Sequence, residues 1–85
     1  MNVCVVSTFE GTTEDYMNMF NSTKESAQGF MVDYELGVIR EGKVMLMMNI
    51  TDMNKMQEVM GSKEMKAWDE KFNCVDVIYA LDQMN

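Results

Sequence analysis

Between residues 43 and 50 the chain reads Lys-Val-Met-Leu-Met-Met-Asn-Ile, and every position except Lys43 and Asn49 is apolar. A strand with one wet face alternates apolar and polar residues. Here Val44, Leu46, Met48 and Ile50 fall on one face and Met45 and Met47 on the other, so both faces call for dry surroundings. Strand patterns also cover residues 2–9, 30–40 and 73–81, the last apolar on both faces apart from Asp76. The pattern changes period between them. Tyr16, Phe20, Thr23 and Ala27 recur at spacings of four, three and four, with Met19 beside them, which predicts one buried helical stripe. Thr12 or Thr13 caps this helix, Glu14 and Asp15 suit its positive end, and it runs to about Ala27, with Gly29 at the exit. A second stripe starts from the Thr51-Asp52 cap with Met53, Met56, Val59 and Met60. Gly61-Ser62 interrupts it, and it resumes with Met65, Trp68 and Phe72, as one broken helix or two short ones.

Glu41-Gly42 reads as a two-residue hairpin turn that pairs Arg40 with Lys43. Counting outward from that turn, Val38 is expected opposite Met45, Leu36 opposite Met47 and Tyr34 opposite Asn49. On the other face Ile39 meets Val44, Gly37 meets Leu46, Glu35 meets Met48 and Asp33 meets Ile50. This register is conditional on the turn.

The element order is therefore β-α-β-β-α-β, the ferredoxin-like arrangement of the α+β class. Right-handed crossovers place both helices on one face of a four-stranded antiparallel sheet. Residues 1–85 form one such domain, too small to bury a generous core alone. The other sheet face is left open although its residues are apolar. Four to six large side chains there would bury on the order of 400–600 Å² against a partner. The simplest partner is a second copy, sheet against sheet about a two-fold axis.

Charge narrows the partners. A formal net charge of −7, with seven dispersed Lys and Arg residues, argues against binding to the phosphate backbone of nucleic acids and to anionic membrane surfaces. No apolar run approaches the ~20 residues of a membrane span. Met1-Asn2-Val3-Cys4 has no basic leader, so a cytoplasmic protein is expected. Cys4 and Cys74 sit in apolar runs and read as reduced, buried thiols. There is no histidine, which removes the commonest general base and metal ligand, and no proline.

The element order, the Arg40-Glu41-Gly42-Lys43 hairpin, the apolar strand running into the Thr51-Asp52 cap and the closing Val77-Ile78-Tyr79-Ala80-Leu81 strand resemble the dimeric α+β barrel superfamily. Its members include antibiotic-biosynthesis-monooxygenase-like proteins and small uncharacterised relatives. The resemblance covers essentially the whole chain. It implies a homodimer whose two sheets form a barrel, with any ligand held in the cleft between helices and sheet. Cofactor-independent monooxygenases of this kind use Asn, Trp and Tyr around an aromatic substrate. Asn49, Trp68 and Tyr79 are present without a matching motif, and haem-degrading members add a histidine that this chain lacks.

The candidate ligand-binding residues are Tyr16, Phe20, Met45, Met47, Met56, Trp68 and Phe72. Aromatic rings flank the expected cleft, and the twelve methionines offer flexible thioethers that either fill a core or adapt to an apolar ligand. Thioethers also suit Cu(I), but the Met spacings follow apolar stripes, so no metal and no cofactor are expected. Asp33, Glu35 and Asp76 are the candidates for acid–base work. Asp33 and Glu35 suit a solvated edge strand, whereas Asp76 sits on an apolar strand. Three functional readings remain open. One is a homodimer of unassigned activity holding a small apolar molecule, acyl-like or aromatic. The second is a cofactor-independent monooxygenase or isomerase acting on an aromatic or polyketide-like substrate. The third is a regulatory interaction module using the sheet face.

Overall fold

In a computed structural model, which describes residues 1–85, the chain forms strand β1 (Val3–Thr8), helix α1 (Thr13–Lys24), β2 (Met31–Arg40), β3 (Lys43–Ile50), α2 (Met53–Met60), α3 (Lys63–Phe72) and β4 (Val75–Ala80). The four strands make one antiparallel sheet in the order β2-β3-β1-β4, so the doubly apolar β3 is central and the charged β2 is an edge. This is the ferredoxin-like α+β arrangement that the hydrophobic pattern predicts.

Local chemistry sets the helix ends. Thr12 caps α1 in a reciprocal box: its Oγ1 accepts the Asp15 N–H at 3.1 Å, and Asp15 Oδ2 accepts the Thr12 N–H at 2.9 Å. Glu41, from the β2–β3 turn, accepts the Thr13 N–H at 2.8 Å and so ties the hairpin to the start of α1. α1 tightens into a 3-10 turn at Glu25–Ala27 before Gly29, at φ +95°, turns the chain into β2. The second stripe is two helices. Asp52 caps α2 by accepting the Lys55 N–H at 3.1 Å, and Ser62 starts α3 by accepting the Met65 N–H at 3.4 Å.

The hairpin register departs from the expected one. Arg40 does pair with Lys43, but Ile39 is then extra, and Val38 pairs with Val44, Gly37 with Met45, Leu36 with Leu46, Glu35 with Met47 and Tyr34 with Met48. A second irregularity at Val32 leaves Asp33 beside Asn49 and Met31 beside Ile50. The reason lies in the faces. Without the bulge Asp33 and Glu35 would point at Ile50 and Met48, under the helices. With it they turn to the open face, and Leu36 and Tyr34 turn inward.

Val3, Val5, Val44, Leu46, Met48 and Ile50 are buried beneath Tyr16 and Phe20 of α1 and Met56 of α2 in one cluster. The opposite sheet face carries Val6, Met45, Met47, Val75, Val77 and Tyr79 with nothing over it. Val77 is 45 % exposed and Tyr79 51 %. No helix is long and apolar enough to cross a membrane.

Candidate functional site: a cavity between helices and sheet

Met48, Met56, Met60 and Met65 leave a cavity of about 90 Å³ between the helices and the covered sheet face. Of its 21 lining residues 16 are hydrophobic, and methionine contributes more of them than any other type. Unbranched thioethers pack loosely and re-form around different shapes, which explains a void in so small a core. Tyr16 and Trp68 line one end, with Phe9 and Phe72 packed behind them. Phe9 lies 5.6 Å from Tyr16 and 5.3 Å from Trp68, and Tyr16 meets Trp68 edge-on at 6.1 Å.

At the same end the lining turns polar. Ser7 pairs with Asp76 across β1 and β4, and its Oγ donates to Asp76 Oδ1 at 2.6 Å. The Cys74 thiol donates to the same oxygen at 3.4 Å. Asp69, on α3, completes the group, and its ligand atom lies within 4.8 Å of those of Cys74 and Asp76. Asp69 as a residue is partly exposed, yet its Oδ1 is sealed from solvent and has no hydrogen-bond partner. Burial, reinforced by the Asp76 charge, raises its carboxyl above the ordinary range. The same two causes, in the same order, push the Tyr16 phenol up to about 12 and raise the Cys74 thiol well above its usual value. Asp69, Cys74 and Asp76 are the three metal-type donors that converge in the fold.

The structure divides the seven expected ligand-binding residues. Tyr16, Phe20, Met56 and Trp68 line the cavity. Phe72 packs on Trp68, 4.7 Å between ring centres, just outside the lining. Met45 and Met47 stand on the open face, where they pair with Val6 and Cys4 of β1. Asn49 and Tyr79 also belong to that face, so Asn49, Trp68 and Tyr79 do not meet around one ligand. Asp33 and Glu35 are exposed on the edge strand. Both cysteines are free thiols, Cys4 buried and Cys74 half-buried.

Asp69 and Ser7 are the residues that the pattern reading passed over. Asp69 lies four positions after Met65 and three before Phe72, inside an apolar stripe, and a carboxylate there is the signal that could have singled it out.

This arrangement of an antiparallel sheet with helices on one face is a ferredoxin-like fold. Among solved structures it is similar to SnoaB, a cofactor-independent oxygenase from Streptomyces nogalater, at 13% identity over 98% of this chain and 95% of that one, with a TM-score of 0.63. It is similar to an antibiotic biosynthesis monooxygenase at 10% identity, covering 98% and 99% of the two chains, TM-score 0.61. A dimeric ferredoxin-like protein of unknown function from Thermobifida fusca matches at 11% identity, covering 95% and 92%, TM-score 0.52. No protein-family model matches the chain, and no curated protein sequence matches it.

Proposed function

We propose that the protein is a homodimer, paired through the open sheet faces, that holds a small apolar molecule between its helices and sheet. The cavity carries this reading. Its walls are apolar and methionine-rich, and a sequence selected only for a tight core would fill such a void, because an unfilled methyl-sized space costs about 1 kcal/mol. The uncovered apolar face and the dimeric neighbour of the same fold support the pairing. Native mass spectrometry of protein purified without detergent tests both parts. The expected result is a dimer that releases a low-mass apolar compound on denaturation, or that takes one up on titration. A folded monomer at micromolar concentration overturns the pairing. A dimer that neither carries nor takes up any apolar compound overturns the pocket.

A second reading, cofactor-independent oxygenation of an aromatic substrate, is favoured by Asp69 in the cavity wall and by the oxygenases that share the fold. An oxygenase without a cofactor draws its electrons from the substrate after a base removes a proton, and a carboxylate with a raised pKa suits that base. Oxygen uptake on adding hydroxylated aromatics, from a single ring upward, abolished by Asp69→Asn, is the expected sign of this activity. No uptake with any of them removes the reading.

A further inference from the structure

The cavity has two unlike ends. Along β3, Val44 pairs with Ser7 and Ile50 with Met31, and these positions are about 20 Å apart at the rise of a strand. The Ser7 end holds Asp69 and Asp76. The Met31 end holds Lys24, the one cation in the lining. No lysine or arginine of the cavity therefore reaches the two carboxylates. Ser7 and Cys74 both donate to a single oxygen of Asp76, and the Cys74 thiol is also the one side-chain donor beside Asp69, so while its proton lies on Asp76 the desolvated Asp69 Oδ1 has no partner. A buried carboxylate oxygen without a donor costs more than almost any other defect in a small core. Tyr16 and Trp68 border the same space. Two carboxylates beside two aromatic rings, at the polar end of an apolar slot, make a receptor for a positive charge carried on an apolar body.

We propose that the ligand is a small apolar primary amine, whose ammonium group donates to Asp69 Oδ1 beside Asp76 while its hydrocarbon lies among the methionines. This rests on the cavity being a ligand site, as proposed above. It adds the polarity and orientation of the bound molecule: ammonium toward Ser7 and Asp69, apolar tail toward Met56 and Met60. The aliphatic space of about 90 Å³ fits a short chain or a single ring, and methionine adjustment sets the upper limit.

A head-group series with one tail separates this inference from the reading beneath it. n-Pentylamine, 1-pentanol and pentanoate are titrated into the wild-type protein at neutral pH, and binding is followed by the methionine methyl resonances. The expected order is amine, then alcohol, then pentanoate, with the amine roughly tenfold tighter than the alcohol, the ratio of a charge-assisted to a neutral hydrogen bond. In Asp69→Asn, a substitution that keeps the side-chain shape, the amine is expected to fall to the alcohol's affinity while the alcohol changes less than about twofold. Equal binding of amine and alcohol by the wild type overturns the head-group assignment and leaves the apolar pocket standing, with water alone satisfying Asp69. Preferred binding of pentanoate overturns it as well. If none of the three moves the methionine methyls, the pocket reading fails and this inference fails with it. The wild-type ranking decides the matter even where the variant does not fold.

Discussion

Ser7 Oγ donates to Asp76 Oδ1 at 2.6 Å, joining two residues 69 positions apart in the sequence across the β1–β4 ladder. Ser7 is only 4 % exposed, so the bond lies in the core, where a polar group must be answered by another. The pair closes one end of the cavity and decides how much of Asp76 is left for a ligand. It also brings β4, the most exposed strand, into the packed part of the sheet.

Ser7→Ala removes one of the two donors to Asp76 and is expected to destabilise the fold by about 1–3 kcal/mol. Replacing both partners with apolar residues, Ser7→Ala with Asp76→Val, is expected to restore much of that loss, because no buried acceptor is then stranded. Urea unfolding of the two variants provides the comparison. A double variant that is weaker than Ser7→Ala by the full cost of a second lost contact shows that the hydroxyl and carboxylate act independently.

High pH is expected to act through Tyr16. Burial, and then the Asp76 charge, raise its phenol from 10.0 to about 12, so the folded protein keeps a proton that the unfolded chain releases between those values. The Tyr16 contribution is then complete below pH 10 and is lost as pH rises toward 12, by roughly 2–3 kcal/mol over the interval, in addition to the loss from the raised Cys74 thiol that begins above pH 9. Tyr16→Phe is expected to flatten that part of the stability–pH curve. Chemical denaturation at stepped alkaline pH measures it, and an equally steep fall in the variant assigns the loss to other groups.

The sequence carried the fold in its alternation. The stripe from Tyr16 to Ala27, the cap at Asp52 and the two dry faces of β3 place the helices, the sheet and its open side without any distant information. The β2–β3 register was illegible beyond Arg40 and Lys43, because Ile39 and its neighbours are equally plausible strand residues. The bulge there is selected by Asp33 and Glu35 needing water, a tertiary demand. The cavity was legible in its aromatic and methionine half. Of its polar end only Asp76, a carboxylate on an apolar strand, stood out. Ser7, Asp69 and Asp76 come from β1, α3 and β4, and only the assembled sheet brings them together.

Two glycines with positive φ are expected to respond differently to the same substitution. At Gly42, φ +84°, a Cβ would stand 2.7 Å from the Phe9 carbonyl oxygen, and the Gly42 carbonyl accepts the Phe9 N–H at 2.8 Å. At Gly29, φ +95°, a Cβ meets nothing within 4 Å. Gly29→Ala is therefore expected to cost about 1 kcal/mol, the backbone term alone, and Gly42→Ala roughly 2–4 kcal/mol because strand β1 must also move. Thermal unfolding of the two variants ranks them. Equal losses would mean that the hairpin relaxes freely around the added methyl group.

The open sheet face yields the sharpest expectation about assembly. Met47 of β3 and Val77 of β4 flank β1 on that face, in register with Cys4 and Val6. Neither touches the cavity. A lysine at Met47 or Val77 would be solvated in a free chain and would cost little there. Between two facing sheets its ammonium would be stripped of water without a partner, a penalty of several kcal/mol that both copies incur. If the wild type pairs as proposed, Met47→Lys and Val77→Lys are each expected to give a folded monomer. Val32→Lys, on edge strand β2 at a site already 59 % exposed, serves as the control and is expected to leave the assembly intact. Light scattering coupled to size exclusion measures the mass, and circular dichroism checks that the fold survives. A dimer that tolerates lysine at both Met47 and Val77 must be held by another surface.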